Sequence, residues 1–134
     1  MMASFRLALL VLLQLVAAGC TNDVISSSHA TFAEARVDID RGWIPPVLPA
    51  SAVDIRERHN VDNNTGHGTF SFGAAGVQQF EAQLRPLQPG DVPLPGVSRR
   101  ELEQLGYILY RYDYFDIAVD WRNRRGQFWL AYSR

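Results

Sequence analysis

The last 28 residues, 107–134, read YILYRYDYFDIAVDWRNRRGQFWLAYSR. Apolar or aromatic side chains alternate with other side chains in three runs, 108–112, 117–121 and 128–132, which is the period of a half-buried strand. The turn 122–126, with Gly last, suits a hairpin closed by a bulge. This segment predicts an antiparallel meander and decides the fold, although its pattern does not define how the chain reverses near Asp113.

The first half of the chain predicts short helices. Residues 31–34, TFAE, form a capping box ahead of a short helical run. Residues 51–54, SAVD, resemble a second helix start, because Ala52, Ile55 and His59 would then share one helical face. Both segments therefore favour helix.

Three prolines fall within five residues in the stretch 42–49, GWIPPVLP, which excludes a helix and indicates extended chain. Its apolar side chains should lie on the core: Trp43, Ile44, Val47 and Leu48.

The middle of the chain predicts one strand and two helices. Residues 69–72 alternate as a strand, 74–85 form an amphipathic helix stopped by Pro86, and 98–105 form a capped helix ended by Gly106. We therefore predict an α+β fold, in which short N-terminal helices and a proline-rich extended segment pack on a small antiparallel sheet of three to four strands.

Composition limits the chemistry. The chain has 134 residues, 47% hydrophobic and 20% charged, which is typical of one small globular domain. All 13 basic residues are Arg, so lysine chemistry is excluded. A formal net charge of −1 gives no field that would attract nucleic acid. The single Cys excludes an internal disulfide and a multi-Cys metal cluster.

The first 19 residues have the pattern of a secretory signal peptide. Arg6 precedes the apolar run 7–16, LALLVLLQLV, and the small residues AAG follow at 17–19. The apolar stretch is shorter than the roughly 20 residues that a membrane-spanning helix needs.

Cys20 directly follows Gly19, and residues 15–20, LVAAGC, resemble the lipobox of bacterial lipoproteins, with Ala17 where that family usually has Leu. The resemblance implies cleavage between Gly19 and Cys20 and acylation of Cys20, for example with palmitate. Thr21 after the Cys implies sorting to the outer membrane of a Gram-negative bacterium. We expect a lipid-anchored protein on the periplasmic side.

The predicted organisation has three parts. Residues 1–19 are the signal peptide, 20–30 are a flexible tether and 31–134 are a single α+β domain. The polar sequence of 21–30, without any apolar period, is the basis for the tether.

Four residues that could bind a metal, His59, Asp62, Asn64 and His67, lie within nine positions. Two imidazoles and a carboxylate could ligate zinc or nickel, but the spacing matches no recognised metal motif and no third strong ligand is fixed nearby, so a hydrogen-bonded turn is the better interpretation. No nucleophile elbow or glycine-rich phosphate loop is present in the sequence. We predict no metal, no cofactor and no catalytic residue.

Carboxylates and aromatics crowd the C-terminal segment. The Asp residues at 113, 116 and 120 lie near arginines and indicate a solvated, salt-bridged sheet face. The aromatic side chains fit either core packing or an interface hot spot. They are Tyr107, Tyr110, Tyr112, Tyr114, Phe115, Trp121, Phe128, Trp129 and Tyr132.

The string GWIPPVLPASAVDI at 42–55, followed by HNVDNN at 59–64 and by FSF at 70–72, resembles the YbbD head domain family of small uncharacterised bacterial proteins, over roughly 31–132. The resemblance implies a single envelope domain and assigns no activity. We expect a non-catalytic module that binds an envelope protein or a cell-wall component. The alternative is a small metal-dependent or hydrolytic envelope enzyme using His59, Asp62 and His67.

Overall fold

The computed structural model describes residues 23–131, which form one antiparallel sheet of seven strands in the order β1-β2-β3-β7-β6-β5-β4. The strands are β1 Val24–Thr31, β2 Ala52–Asn60, β3 Thr65–Phe72, β4 Arg85–Pro86, β5 Ile108–Tyr112, β6 Phe115–Asp120 and β7 Arg125–Ala131. Within this range there are three short helices: α1 Arg36–Asp40, α2 Val77–Gln83 and α3 Arg99–Gln104.

The predicted α+β fold with a sheet of three to four strands is wrong, because residues 52–60 form strand β2 and not a helix. The pairing of β2 with β3 shifts between Val53 and Arg56, and Asp54 between them has a φ of 48°. This bulge places both Ala52 and Ile55 on the core side three positions apart, which imitates a helical period. A β-bulge is therefore the source of the error.

Strand β1 was also missed, since residues 24–31 fall almost entirely within the predicted tether at 20–30. They pair with β2 over their length, with Ser27 opposite Glu57. Five of the eight residues of VISSSHAT are exposed, because β1 lies at the edge of the sheet, and this explains why the segment has no apolar period. The signal peptide and Cys20 lie outside the described residues.

The remaining elements follow the sequence pattern. The meander forms β5, β6 and β7, the strand at 69–72 extends back to Thr65, and the helices near 80 and 101 are present. Asp113, at a φ of 52°, starts the two-residue turn between β5 and β6. Gly106, at a φ of 91°, follows α3 as a helix-ending residue.

The main core covers one side of the sheet, called the inner face. Segment 32–51 and helix α2 lie on it, and Ile44, Val47 and Leu48 of the proline-rich stretch are buried there as predicted, while Trp43 is half-buried. Four aromatic rings at the centre of this core meet at centroid distances of 5.9–6.4 Å, namely Phe70, Phe72, Phe80 and Phe128.

Two glycines give these rings room. Gly68 lies directly opposite Phe128, and Gly126 lies directly opposite Phe70. A Cβ on Gly126 would lie 2.2 Å from Phe70 Cζ, and a Cβ on Gly68 would lie 2.2 Å from Phe128 Cζ. Each ring therefore lies over the glycine of the neighbouring strand.

The other side of the sheet, the outer face, is covered over only half of its width. Residues 87–105 pack on β5 and β6 through a second apolar cluster, which contains Leu87, Leu102, Tyr107, Leu109 and Ala118. No residue of 23–131 belongs to a comparable apolar cluster over the outer face of β1, β2 and β3. This uncovered part, called the open face, consists of Ser26, Ser28, Arg56, Arg58, His67 and Thr69, all exposed.

Candidate functional site

The open face has a regular geometry because the three strands are in register. Ser26 lies opposite Arg58, Arg58 opposite His67, and His67 opposite Trp129 of β7. These four side chains form one row across the sheet, from its free edge to the point where residues 87–105 begin to cover it.

The charge of the open face is positive. None of its side chains is a carboxylate, and Arg58 and His67 form no ion pair or side-chain hydrogen bond with other residues of 23–131. Arg56 pairs with Asp54 at 3.2 Å, but both side chains are about two-thirds exposed (67% and 66%). Such an exposed pair is weak and exchanges readily with another anion.

A groove of about 500 Å³ runs beside this row. Its lining includes Arg58, His67 and the aromatic side chain of Trp129, together with Pro95 and Gly96 of the segment 87–105 that covers the other half of the outer face. A cation beside an aromatic wall suits a ligand that carries an anionic group and an apolar or planar part.

A chain of buried polar side chains lies on the inner face under the same strands. Ser27 Oγ lies 2.9 Å from Asp38 Oδ2 and 2.8 Å from Glu57 Oε2, and His29 Nε2 lies 2.7 Å from the same Asp38 oxygen. Glu57 Oε1 bonds His59 Nδ1. The chain links helix α1 to strands β1 and β2.

Trp43 covers the His59 end of this polar chain. Its ring stacks on the His59 ring, with 3.8 Å between the ring centroids and 9° between the ring planes. Burial opposes ionisation of Asp38, but hydrogen bonds from His29 and Ser27 together lower the pKa of Asp38 below its ordinary value. These hydrogen bonds therefore favour the ionised carboxylate of Asp38.

These contacts do not build a nucleophile. In a Ser-His-Asp arrangement the Ser hydroxyl bonds a His that accepts its proton, whereas the contacts of Ser27 Oγ are with two carboxylates. His29 and His59 each bond a carboxylate instead. The chain serves to hold α1 and the proline-rich segment on the sheet.

The residues that the sequence suggested for a metal or hydrolytic site are not brought together. His59 is buried on the inner face, His67 is exposed on the outer face, and Asp62 lies in the turn between β2 and β3. A hydrogen bond to Asp23 raises the pKa of Asp62 above its ordinary value. Within 23–131 no group of three or more His, Cys, Asp or Glu side chains is arranged to hold a metal ion.

The predicted solvated face of carboxylates is also wrong, because Asp116 and Asp120 are buried. Asp116 accepts hydrogen bonds from Arg111 Nε at 2.8 Å and from the backbone N–H of Leu94 at 2.7 Å. The bond to Asp116 raises the pKa of Arg111. Asp116 and Arg111 therefore hold residues 92–94, part of the segment that covers the outer face, against β5 and β6.

For the aromatic segment, core packing is the correct interpretation at Tyr110, Phe115 and Phe128, which are buried. Trp129 is only partly buried and borders the groove. Tyr132 lies outside the described residues.

Sequence reasoning missed Arg58 and the polar chain. The signal was the alternation of residues 55–59, IRERH, which places Arg56 and Arg58 on one side of a strand and Glu57 and His59 on the other. It was hidden because the bulge at Asp54 made the segment look helical.

Comparison with known proteins supports the resemblance drawn from the sequence. Residues 23–71 match the model of the YbbD head domain family. The match begins at β1 and ends within β3, so it covers the three strands that carry the open face. No curated protein and no solved structure matched the chain. Over residues 23–131, the helices are all too short or too polar to cross a membrane.

Proposed function

We propose that the protein is a lipid-anchored, non-catalytic binding module of the cell envelope, with the open face as its binding surface. The observation that carries the proposal is the half-covered outer face, on which Arg58 and His67 have no partner within residues 23–131. The match to the YbbD head domain family suggests an uncharacterised envelope-associated protein and is consistent with this role.

The anchor in this proposal is acylated Cys20, on the periplasmic side of the outer membrane. Only residues 21–23 separate Cys20 from the first residue of β1, so the chain between them spans at most about 14 Å. Acylation would hold the sheet close to the membrane surface. Two or more acyl chains are needed for stable anchoring, which a lipoprotein signal supplies.

Labelling with a clickable palmitate analogue tests the anchor. Cells expressing the wild type should incorporate the label and retain the protein in the outer-membrane fraction, whereas Cys20→Ser should lose both. Equal labelling of the two proteins would refute the anchor.

Site-specific photo-crosslinking in intact cells tests the binding surface. A photoreactive amino acid at His67, on the open face, should capture a defined partner, and the same amino acid at Arg100 should not. Arg100 is a matched control because it is exposed on α3, which packs over the other half of the sheet. Identical capture from both positions, or none from His67, would contradict the proposal.

A further inference from the structure

The two edges of the sheet differ in how they are protected. At one edge, β4 has two residues, Arg85 and Pro86, and a short edge strand with proline resists pairing with another chain. At the other edge, β1 has eight residues, VISSSHAT, with no proline and no Asp, Glu, Lys or Arg. Edge β1 therefore lacks the usual features that prevent strand addition.

The backbone groups available on β1 can be identified from its pairing. Val61 N–H donates to Asp23 O at 3.0 Å, which makes 23 and 61 a hydrogen-bonded pair. Antiparallel pairing alternates, so Val24, Ser26 and Ser28 direct their N–H and C=O groups away from β2.

At its C-terminal end, strand β1 has no free outward-directed N–H group for a further strand. The N–H of Ala30, the next outward-directed group, donates to Glu34 Oε2 at 3.0 Å. The accessible stretch is therefore 24–28, long enough for a short extended segment to pair with it.

The arginines of the open face lie one strand behind this edge. Arg58 is opposite Ser26 and Arg56 is opposite Ser28. A strand added to β1 would lie two strand spacings, about 10 Å, from β2. Because serine is short, an arginine side chain can extend over it and meet a carboxylate on the added strand.

We propose that β1 binds an extended acidic segment of a partner protein as an eighth strand, with carboxylates opposite Ser26 and Ser28 paired to Arg58 and Arg56. Backbone hydrogen bonds hold the segment, and the two arginines select acidic residues at alternate positions. This inference rests on the proposed binding function and names the partner's chemistry. A second copy of β1 fits less well, since it has no carboxylate to offer.

The test uses the full chain in detergent and a fluorescent, end-capped eight-residue peptide of alternating Glu and Thr. Matched peptides carry Gln or Lys in place of Glu. At low ionic strength, fluorescence anisotropy should show binding of the Glu peptide at least threefold tighter than the Gln peptide, and weaker binding of the Lys peptide. Hydrogen exchange of the backbone amides of 24–28 should slow when the Glu peptide binds.

Three variants assign the contacts. Arg58→Ser should weaken the Glu peptide about threefold, and Arg100→Ser, a matched loss of one arginine, should leave it unchanged. Ser26→Glu places a carboxylate opposite Arg58 within the protein and should reduce the preference for Glu over Gln about as much as Arg58→Ser does, without removing any core contact, because Arg56 opposite Ser28 remains.

Equal affinity for the Glu and Gln peptides would overturn the inference, as would binding that leaves exchange of 24–28 unchanged. Capture of a partner at His67 together with failure of the Glu peptide would refute strand addition and leave the binding module standing. Failure of both experiments would refute both proposals.

Discussion

Alanine at Gly126 or Gly68 is the sharpest test of the core, because each glycine lies under an aromatic ring of the neighbouring strand. The three atoms nearest to a Cβ on Gly126 would all belong to the Phe70 ring, with Cζ at 2.2 Å and Cε1 at 2.5 Å. A Cβ on Gly68 would meet Phe128 Cζ at 2.2 Å and also the backbone oxygen of Arg56 at 2.2 Å. The two substitutions are alike in sequence but differ in what must move.

The expected costs follow from these contacts. Overpacking a well-packed core costs about 1–3 kcal/mol, and occasionally more. Gly126→Ala displaces a side chain, so about 1–2 kcal/mol is expected. Gly68→Ala also displaces a backbone oxygen within the pairing of β2 with β3, so about 3 kcal/mol or more is expected.

Urea unfolding of the full chain in detergent at pH 7 measures both free energies of unfolding. Gly73→Ala is the matched control, because a Cβ on Gly73 would lie 3.6 Å from Ser51 Cβ, an ordinary contact. Its free energy of unfolding should stay within about 0.5 kcal/mol of the wild type.

Double mutants separate ring clash from backbone clash. In a Phe70→Leu background, the cost of Gly126→Ala should fall by about 1 kcal/mol, since the clashing ring atoms are gone. In a Phe128→Leu background, Gly68→Ala should keep most of its cost. Additive effects in the first pair, or full rescue in the second, would refute the assignment of these glycines.

Three further predictions concern charged residues. Asp38→Asn should lower the free energy of unfolding by about 1–3 kcal/mol at pH 7. Because His29 helps to lower the folded-state pKa of Asp38, its stabilisation is full above the unfolded-state pKa and is lost as the pH falls through the lower folded-state pKa. The wild-type and mutant urea midpoints should therefore converge as the pH is lowered through the acid range, and a constant gap would contradict this. Arg111→Met should cost about 3 kcal/mol, since it leaves buried Asp116 without its cation, and limited proteolysis should then cut the segment 87–98. An uncut segment would argue against a role of the Arg111–Asp116 pair in holding it. Asp54→Gly should unfold at equal or higher urea, by up to about 1 kcal/mol, because glycine adopts a φ of 48° without strain; a lower midpoint would show that Asp54 has another role.

The elements that the sequence predicted correctly are those with a strong period of their own. Strands β5, β6 and β7 alternate apolar and polar residues, and α2 repeats Val77 and Phe80 on one face. The prolines of 42–49 predicted an extended segment, because proline fixes its own φ and excludes a helix in any context. The apolar residues Ile44 and Leu48 of that segment are buried, as expected.

The elements that were missed depend on contacts distant in sequence. Strand β1 has no apolar period, because its inward residues Ser27 and His29 are satisfied by Asp38 and not by apolar packing. In β2 the bulge at Asp54 breaks the period. In both, a polar residue is buried next to a partner that only the folded chain supplies, so residue type alone gives no signal.

The candidate site was hidden for the same reason. Arg58 has no notable neighbour in sequence, and its place in a row with Ser26, His67 and Trp129 exists only through the register of four strands. Net charge conceals it as well, since a chain with a formal charge of −1 still presents Arg56 and Arg58 side by side on one exposed face. Local charge, and not the total, determines which ligand a surface attracts.

The position of β1 connects the proposed anchor to the proposed binding edge. If Cys20 is acylated, the free end of β1 at Val24 lies within about 14 Å of the membrane surface. A segment that pairs with residues 24–28 must then run beside the membrane, which favours the membrane-adjacent part of an envelope protein over a component deep in the periplasm. Inserting ten Gly/Ser residues after Thr21 would add a reach of about 17 Å and should weaken photo-crosslinking at His67 while leaving affinity for the Glu peptide unchanged. Unchanged crosslinking in that variant would separate binding from anchoring and remove the requirement for a membrane-adjacent partner.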